Sequence, residues 1–218
     1  MKMLTPFLAA LLAASACAAT NLCAMAGTST VLATSFDCAR ATAAVEKLIC
    51  RDPQLKQMDI ELTRLYRLAL TDVHSVPSPE KVEIEQRFWA DARNQCGAGA
   101  EPKACTIRRY AERAHQLRQG SAIARTRDPS RLTDGPIALR CAGLNALIGA
   151  TFFNVEPRVV YLKWANTSVT LIQVPDDAAT RYNAKDNRGN YSFWQDGNDA
   201  FFQMPGSGRM SCTVEPTG

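Results

Sequence analysis

Cys38, Cys50, Cys96, Cys105, Cys141 and Cys212 constrain the folding of this chain more than any other residues. Two further cysteines, Cys17 and Cys23, precede them in the opening stretch MKMLTPFLAALLAASACAATNLCAMAG. Lys2 gives that stretch a positive start, residues 4–16 form an apolar run, and small residues follow. This is the layout of a secretory signal, too short and too rich in small residues for a membrane anchor helix. Ala24-Met25-Ala26 fits the small-x-small cleavage rule, so residues 1–26 are expected to be removed. Six cysteines then remain, an even set suited to disulfides in an oxidising compartment. Ala14-Ser15-Ala16-Cys17 reads instead as a weak lipoprotein box, but lipidation there would leave Cys23 unpaired. The soluble exported form, periplasmic or secreted, is therefore the expectation, with a lipid anchor at Cys17 the lesser alternative. No later stretch approaches the roughly 20 apolar residues that span a bilayer, so no transmembrane segment is expected.

Charge excludes one large class of partner. After residue 26, 24 basic and 21 acidic side chains remain, a net of +3. Neither half has a basic run interleaved with aromatics, so nucleic acid is not an expected partner.

The first half has helical periodicity. A short helix opens at Phe36-Asp37-Cys38 and runs through Ile49. Asp52 then caps a second helix with Pro53 at its first position, and Leu55, Met58, Leu62, Leu65, Tyr66 and Ala69 recur at three- and four-residue steps. Ser78-Pro79 starts a third helix that ends near Cys96-Gly97, and Pro102 starts a fourth. Residues 27–119 thus form a small helical domain, one too small to be comfortably stable by burial alone. Disulfides among Cys38, Cys50, Cys96 and Cys105 would make up the shortfall, with three connectivities open. Their wide spacing and the exported location argue against zinc, and neither a metal nor any cofactor is expected.

Residues 120–136, GSAIARTRDPSRLTDGP, read as a linker. Beyond it the period changes to short β-prone runs at 137–142, 146–153, 159–164, 169–174, 191–194, 200–204 and 210–214, divided by turn residues. Residues 137–218 are expected to form a small antiparallel barrel or sandwich, tied end to end by Cys141 and Cys212. The fold class is α+β in two domains: a disulfide-stapled helical domain, then a β-barrel.

Particular residues carry a resemblance. Leu139-Arg140-Cys141, Thr170-Leu171, Gln173-Val174-Pro175, Arg181-Tyr182, Phe193-Trp194, Gly197, Ala200 and Cys212 follow the order of lysozyme-inhibitor domains of the MliC type. Phe36-Asp37-Cys38, Val45 through Cys50, Leu62 to Tyr66, Arg87-Phe88-Trp89, Arg93 through Gly97, and Cys105 followed by Tyr110 resemble the LprI-like domain over residues 36–118. The first resemblance, over 137–214, implies an eight-stranded antiparallel barrel. Both imply an inhibitor rather than an enzyme.

In MliC-type domains a loop enters the cleft of a c-type lysozyme, where a Ser and a Lys meet the catalytic carboxylates. Carried onto this chain, the partner-binding residues are Asp176, Asp177, Ala178, Ala179, Thr180, Arg181 and Tyr182, with Gln195, Asp196 and Gly197. The Ser position holds Ala178 and the Lys position holds Asp196, so neither of those two contacts can form. Asp176, Asp177, Asp196 and Asp199 favour a cationic surface instead. The expected partner is lysozyme or another cationic peptidoglycan hydrolase. A non-inhibitory envelope adaptor is the alternative, and a peptidoglycan binder using Trp194 and Tyr182 is a third reading.

Several residues have blander roles. Tyr182 is either an interface anchor or a barrel-packing residue, and Asp196-Gly197 either an acidic contact or a hairpin turn. Trp194 is expected in the core. His74 and His115 are expected at the surface, without a nucleophile or ligand beside them. Glu83 and Glu85, two apart on a helix, do not face each other as a glycosidase pair would.

Overall fold

Three of the four helix starts expected from the sequence are local chemistry. A computed structural model describes residues 34–126, 132–175, 180–196 and 199–216, apart from the Asp196 side chain. Residues 1–33, with the export signal, Cys17 and Cys23, lie outside that description.

The helix expected to open at Phe36-Asp37-Cys38 does not start there: that stretch makes a single 3₁₀ turn at Cys38–Arg40, and α1 spans only Ala44–Arg51. Its first turn is capped by Glu46, whose carboxylate accepts from the Thr42 and Ala43 amides, both at 3.2 Å. In α2, Pro53–Thr71, Asp52 Oδ1 accepts from the Leu55 amide at 3.1 Å, satisfying an amide that the helix itself cannot. Helix α3 spans Pro79–Gln95 and α4 spans Pro102–Gly120, each with its proline in the first turn. The apolar stripes of α2 (Leu55, Met58, Leu62, Leu65) and α4 (Ile107, Tyr110, Ala114) are buried against one another.

The disulfides settle the open connectivity as Cys38–Cys50 and Cys96–Cys105. Each loop is local, and each is worth roughly 3 kcal/mol in the chain-entropy picture.

The second half closes into a barrel in sequence order: β1 (Thr133–Cys141), β2 (Leu147–Phe153), β3 (Val159–Trp164), β4 (Thr167–Val174), β5 (Thr180–Asp186), β6 (Gly189–Asp196), β7 (Asp199–Gln203) and β8 (Met210–Val214). All pairs are antiparallel, and β1 closes on β8 with Cys141 opposite Cys212, the residues of the third disulfide. Seven of the strands correspond to the apolar runs of the sequence. The eighth, β5, reads TRYNAKD and sends only Tyr182 fully into the core.

Why β2 and β3 are so continuously apolar becomes clear from packing. Ile148, Ala150, Phe152, Val160 and Leu162 face the barrel interior, while Phe153, Val159 and Tyr161 join the core formed with the helices. Strands covered on both faces lose the alternation of half-buried ones.

The stretch expected as a linker is not a free tether in its described part. A short helix, α5, fills Ala122–Arg125, and β1 begins at Thr133 rather than 137. Buried Arg118 organises this turn: Nε donates to the Gly135 carbonyl, and Nη1 and Nη2 donate to the carbonyls of Ala124 and Arg125 at 3.1 and 3.2 Å. Thr133 receives a bond from Arg118 and donates one to buried Glu61. The polar composition that suggested a linker is that of a strand start held by buried hydrogen bonds.

Candidate functional site

The β4–β5 and β6–β7 connections frame the surface to which the sequence points. Ladder register fixes the neighbours: Val174 pairs with Arg181, Arg181 with Trp194, Trp194 with Phe201, and Asp196 with Asp199. Asp176, Asp177, Ala178, Ala179 and Gly197, named from the sequence, lie outside the described residues. So does the side chain of Asp196, whose backbone ends β6.

The remaining candidates divide between the two faces of the barrel. Tyr182 is 2% exposed, and its ring packs on Phe152 and Phe193 with centroids 6.2 Å away in each case. Burial pushes its hydroxyl above the ordinary value, against the pull of nearby Arg158. As an interface anchor, Tyr182 is ruled out by that burial: it is a packing residue. Thr180 and Gln195 pair with each other at the barrel end and are half-buried. Arg181 is exposed.

Trp194 corrects an expectation. With Tyr191 and Phe193 committed to the core, alternation sends Trp194 to the outer face. There it forms a cluster with Phe201, at a centroid distance of 5.7 Å, and with two arginines. The Arg181 guanidinium stands 5.6 Å from the Trp194 ring centroid. The Arg209 guanidinium is 5.1 Å from Trp194 and 3.8 Å from Phe201. Arg209 and Phe201 escaped the sequence reading because they meet Trp194 only through the β6–β7–β8 register. A strict in–out count along YSFW would have flagged Trp194.

Elsewhere, His115 on α4 is 1% exposed, contrary to the surface position expected for it, because β2 and β3 cover that face of the helix. Its Nδ1 lies 2.9 Å from Thr151 Oγ1 and its ring 5.0 Å from that of Tyr161. Burial, assisted by Lys163, lowers its pKa to about 4. His74 is exposed as expected. Glu83 pairs with Arg87 at 2.6 Å and Glu85 with Arg113 at 3.3 Å, each carboxylate answering its own cation. Among the described residues no helix is long and apolar enough to cross a membrane, and no cluster of potential metal ligands is assembled.

Comparison with known proteins agrees with this geometry. Residues 140–211, nearly the whole barrel, match the MliC family model, described as membrane-bound lysozyme-inhibitor of c-type lysozyme. The barrel is similar to the MliC family, and the chain also bears a likeness to LprI. The LprI likeness extends across most of it: Lipoprotein LprI of Mycobacterium bovis and that of Mycobacterium tuberculosis are each 28% identical over 169 residues, 77% of this chain and 78% of theirs. No solved structure matches significantly. The outer cluster of Arg181, Trp194, Phe201 and Arg209 lies across β5, β6 and β7, with Arg209 reaching it from the β7–β8 connection.

Proposed function

We propose that the protein is an exported inhibitor that binds a c-type lysozyme, or a related peptidoglycan-cleaving enzyme, and blocks it by occupying its cleft. The observation that carries this reading is the MliC match over 140–211, a span that includes the β4–β5 and β6–β7 connections. The LprI likeness supports the same class of function, since it runs through 77% of the chain. Inhibition of this kind needs shape and charge, not bond-making groups. Purified mature protein is expected to slow lysis of bacterial cell walls by c-type lysozyme at micromolar concentration. Unchanged lysis by c-, g- and i-type enzymes alike would reject the reading.

A second reading, a non-inhibitory envelope adaptor, is favoured by Ala178 and Asp196 at the two positions where the family uses Ser and Lys. The paired substitution Ala178→Ser with Asp196→Lys separates the two. An inhibitory variant of a non-inhibitory wild type would establish the adaptor.

Export to the envelope is part of the proposal, and two mature forms compete. Cleavage after Ala26 leaves six cysteines, the six found in three disulfides. Lipidation at Cys17 agrees with the relatives' name, lipoprotein, and with the family's description as membrane-bound. The mass of the mature N-terminus decides, a diacylglyceryl group on Cys17 marking the anchored form.

A further inference from the structure

The helical region carries an exposed aromatic that its packing does not account for. In Arg87-Phe88-Trp89, Trp89 is half-buried and its Nε1 donates to the Arg109 carbonyl at 3.0 Å, whereas Phe88 is 71% exposed. Phe88 lines a groove of about 750 Å³ between α3 and α4, bounded at one end by Val76 and Pro77. That volume lies within the range of small-molecule sites, about 300–1,000 Å³.

The groove is built into the fold. At its Val76 end the two backbones meet: the Val76 amide donates to the Gly120 carbonyl at 2.8 Å, and a Cβ on Gly120 would come within 2.4 Å of the Val76 carbonyl oxygen. Arg113, 3% exposed, ties the two helices together. Its Nε donates to Gln86 at 2.9 Å, its Nη1 to Gln116 at 3.2 Å and its Nη2 to the Val82 carbonyl at 3.2 Å. A ligand therefore meets walls that are already ordered, which lowers the cost of binding.

The lining narrows the chemistry of that ligand. Its charges cancel, since Arg113 pairs with Glu85 at 3.3 Å and Arg109 with Glu112 at 3.6 Å, leaving no net field to select a charged partner. Apolar surface from Val76, Pro77, Phe88 and Ala92 is interrupted by the amides of Gln116 and Gln119. A docked amphipathic helix needs a continuous apolar floor, and this groove has none. A pyranose, by contrast, presents an apolar C–H face to a ring and a rim of hydroxyls that both donate and accept. An acetamido substituent adds a methyl for aliphatic surface and an N–H and C=O for primary amides.

We propose that the α3–α4 groove binds a neutral glycan of N-acetylated hexosamines, the backbone chemistry of peptidoglycan, with Phe88 as the stacking platform and Gln116 and Gln119 as hydrogen-bonding partners. The site belongs to the helical region and is separate from the barrel connections to which inhibition is ascribed. It would hold the protein on the wall that its target enzyme attacks.

The test is calorimetric titration of the mature protein with N-acetylchitotetraose and with cellotetraose, which lacks the acetamido groups, together with cosedimentation on insoluble peptidoglycan. Wild type, Phe88→Ala, Gln119→Ala and Trp194→Ala are compared, with thermal unfolding as the folding control. Phe88 and Gln119 are both exposed, so neither substitution removes core packing. Wild type is expected to bind the acetylated tetramer saturably and in preference to cellotetraose. Phe88→Ala and Gln119→Ala should each weaken that binding about fivefold or more, and Trp194→Ala should leave it unchanged. Absence of binding to both the tetramer and peptidoglycan would overturn the proposal, as would equal affinity for cellotetraose or unaltered binding by Phe88→Ala. A Phe88→Ala protein that keeps its glycan affinity but loses lysozyme inhibition, or sediments as a smaller species, would show that the groove holds a protein and would overturn it too. Wild type that binds the glycan without inhibiting any lysozyme would uphold the groove while refuting the inhibitor reading.

Discussion

Buried His115 couples the helices to the barrel through a single ring. Its ordinary pKa of 6.5 falls to about 4 in the fold, because burial, with Lys163 nearby, penalises the charged form. The unfolded chain therefore binds the proton more readily between those two values. The stability tied to neutral His115 is complete above pH 6.5 and is lost as the pH falls towards 4, an effect on the order of 3 kcal/mol. Denaturant unfolding from pH 7 to 4.5 should show a steeper loss for wild type than for His115→Gln. Parallel profiles would contradict this. A second buried group, Asp59, accepts from the Tyr110 hydroxyl at 2.7 Å, from the Ser35 amide and hydroxyl at 2.6 and 2.8 Å, and pairs with Arg93. Burial, with the Asp59 charge beside it, raises the Tyr110 hydroxyl well above its usual pKa. Asp59→Ala would strand the buried Arg93 and is expected to cost about 3–5 kcal/mol in urea unfolding, with a cost below 1 kcal/mol as the contrary result. Neither role was legible in the sequence. His115 sits on a helix whose far side is covered by strands distant in the chain, and Asp59 draws its partners from three separate segments.

At the scale of elements the sequence was far more readable. Asp52-Pro53, Ser78-Pro79 and Pro102 announce three helix starts because a proline that lacks its amide fits the first turn, with Asp52 adding a side-chain cap. Val159–Trp164 and Met210–Val214 appear as strands at their observed bounds. The strand β5 did not show, since six of its seven residues lack the burial that makes an apolar run. Trp194 was assigned to the wrong face because an aromatic in a strand suggests core, whereas parity with Phe193 decides. The Cys141–Cys212 bridge joins strands 71 residues apart in sequence, the one long-range link among the three. Replacing both by Ala is expected to lower stability by about 4 kcal/mol in chemical unfolding, against roughly 3 kcal/mol for either local bridge. Equal losses for the long and local bridges would show that native-state strain, not chain entropy, dominates.

For the whole molecule, composition and period located a helical part and a barrel, but not the way they join. Phe153, Val159 and Tyr161 on the outer face of β2 and β3 complete the helical core, and Arg118 binds the start of β1 to the end of α4. The barrel thus presents two different outer surfaces: β2–β3 packed against the helices, and β5–β8 with its arginine–aromatic cluster to solvent. Under the proposed function, the contact face is held on a closed, cross-linked sheet, which lowers the entropy lost on binding. Most of the residues that carry the family resemblance lie in that scaffold, so the fold was easier to read than the site. The most direct test of the account is competition at the enzyme's cleft. The rate at which c-type lysozyme hydrolyses a soluble chitooligosaccharide is measured against rising concentrations of the mature protein, with and without N-acetylchitotriose filling the cleft. The account predicts saturable one-to-one inhibition whose apparent constant rises in proportion to cleft occupancy. Inhibition indifferent to the trisaccharide, or none at micromolar protein, would contradict it.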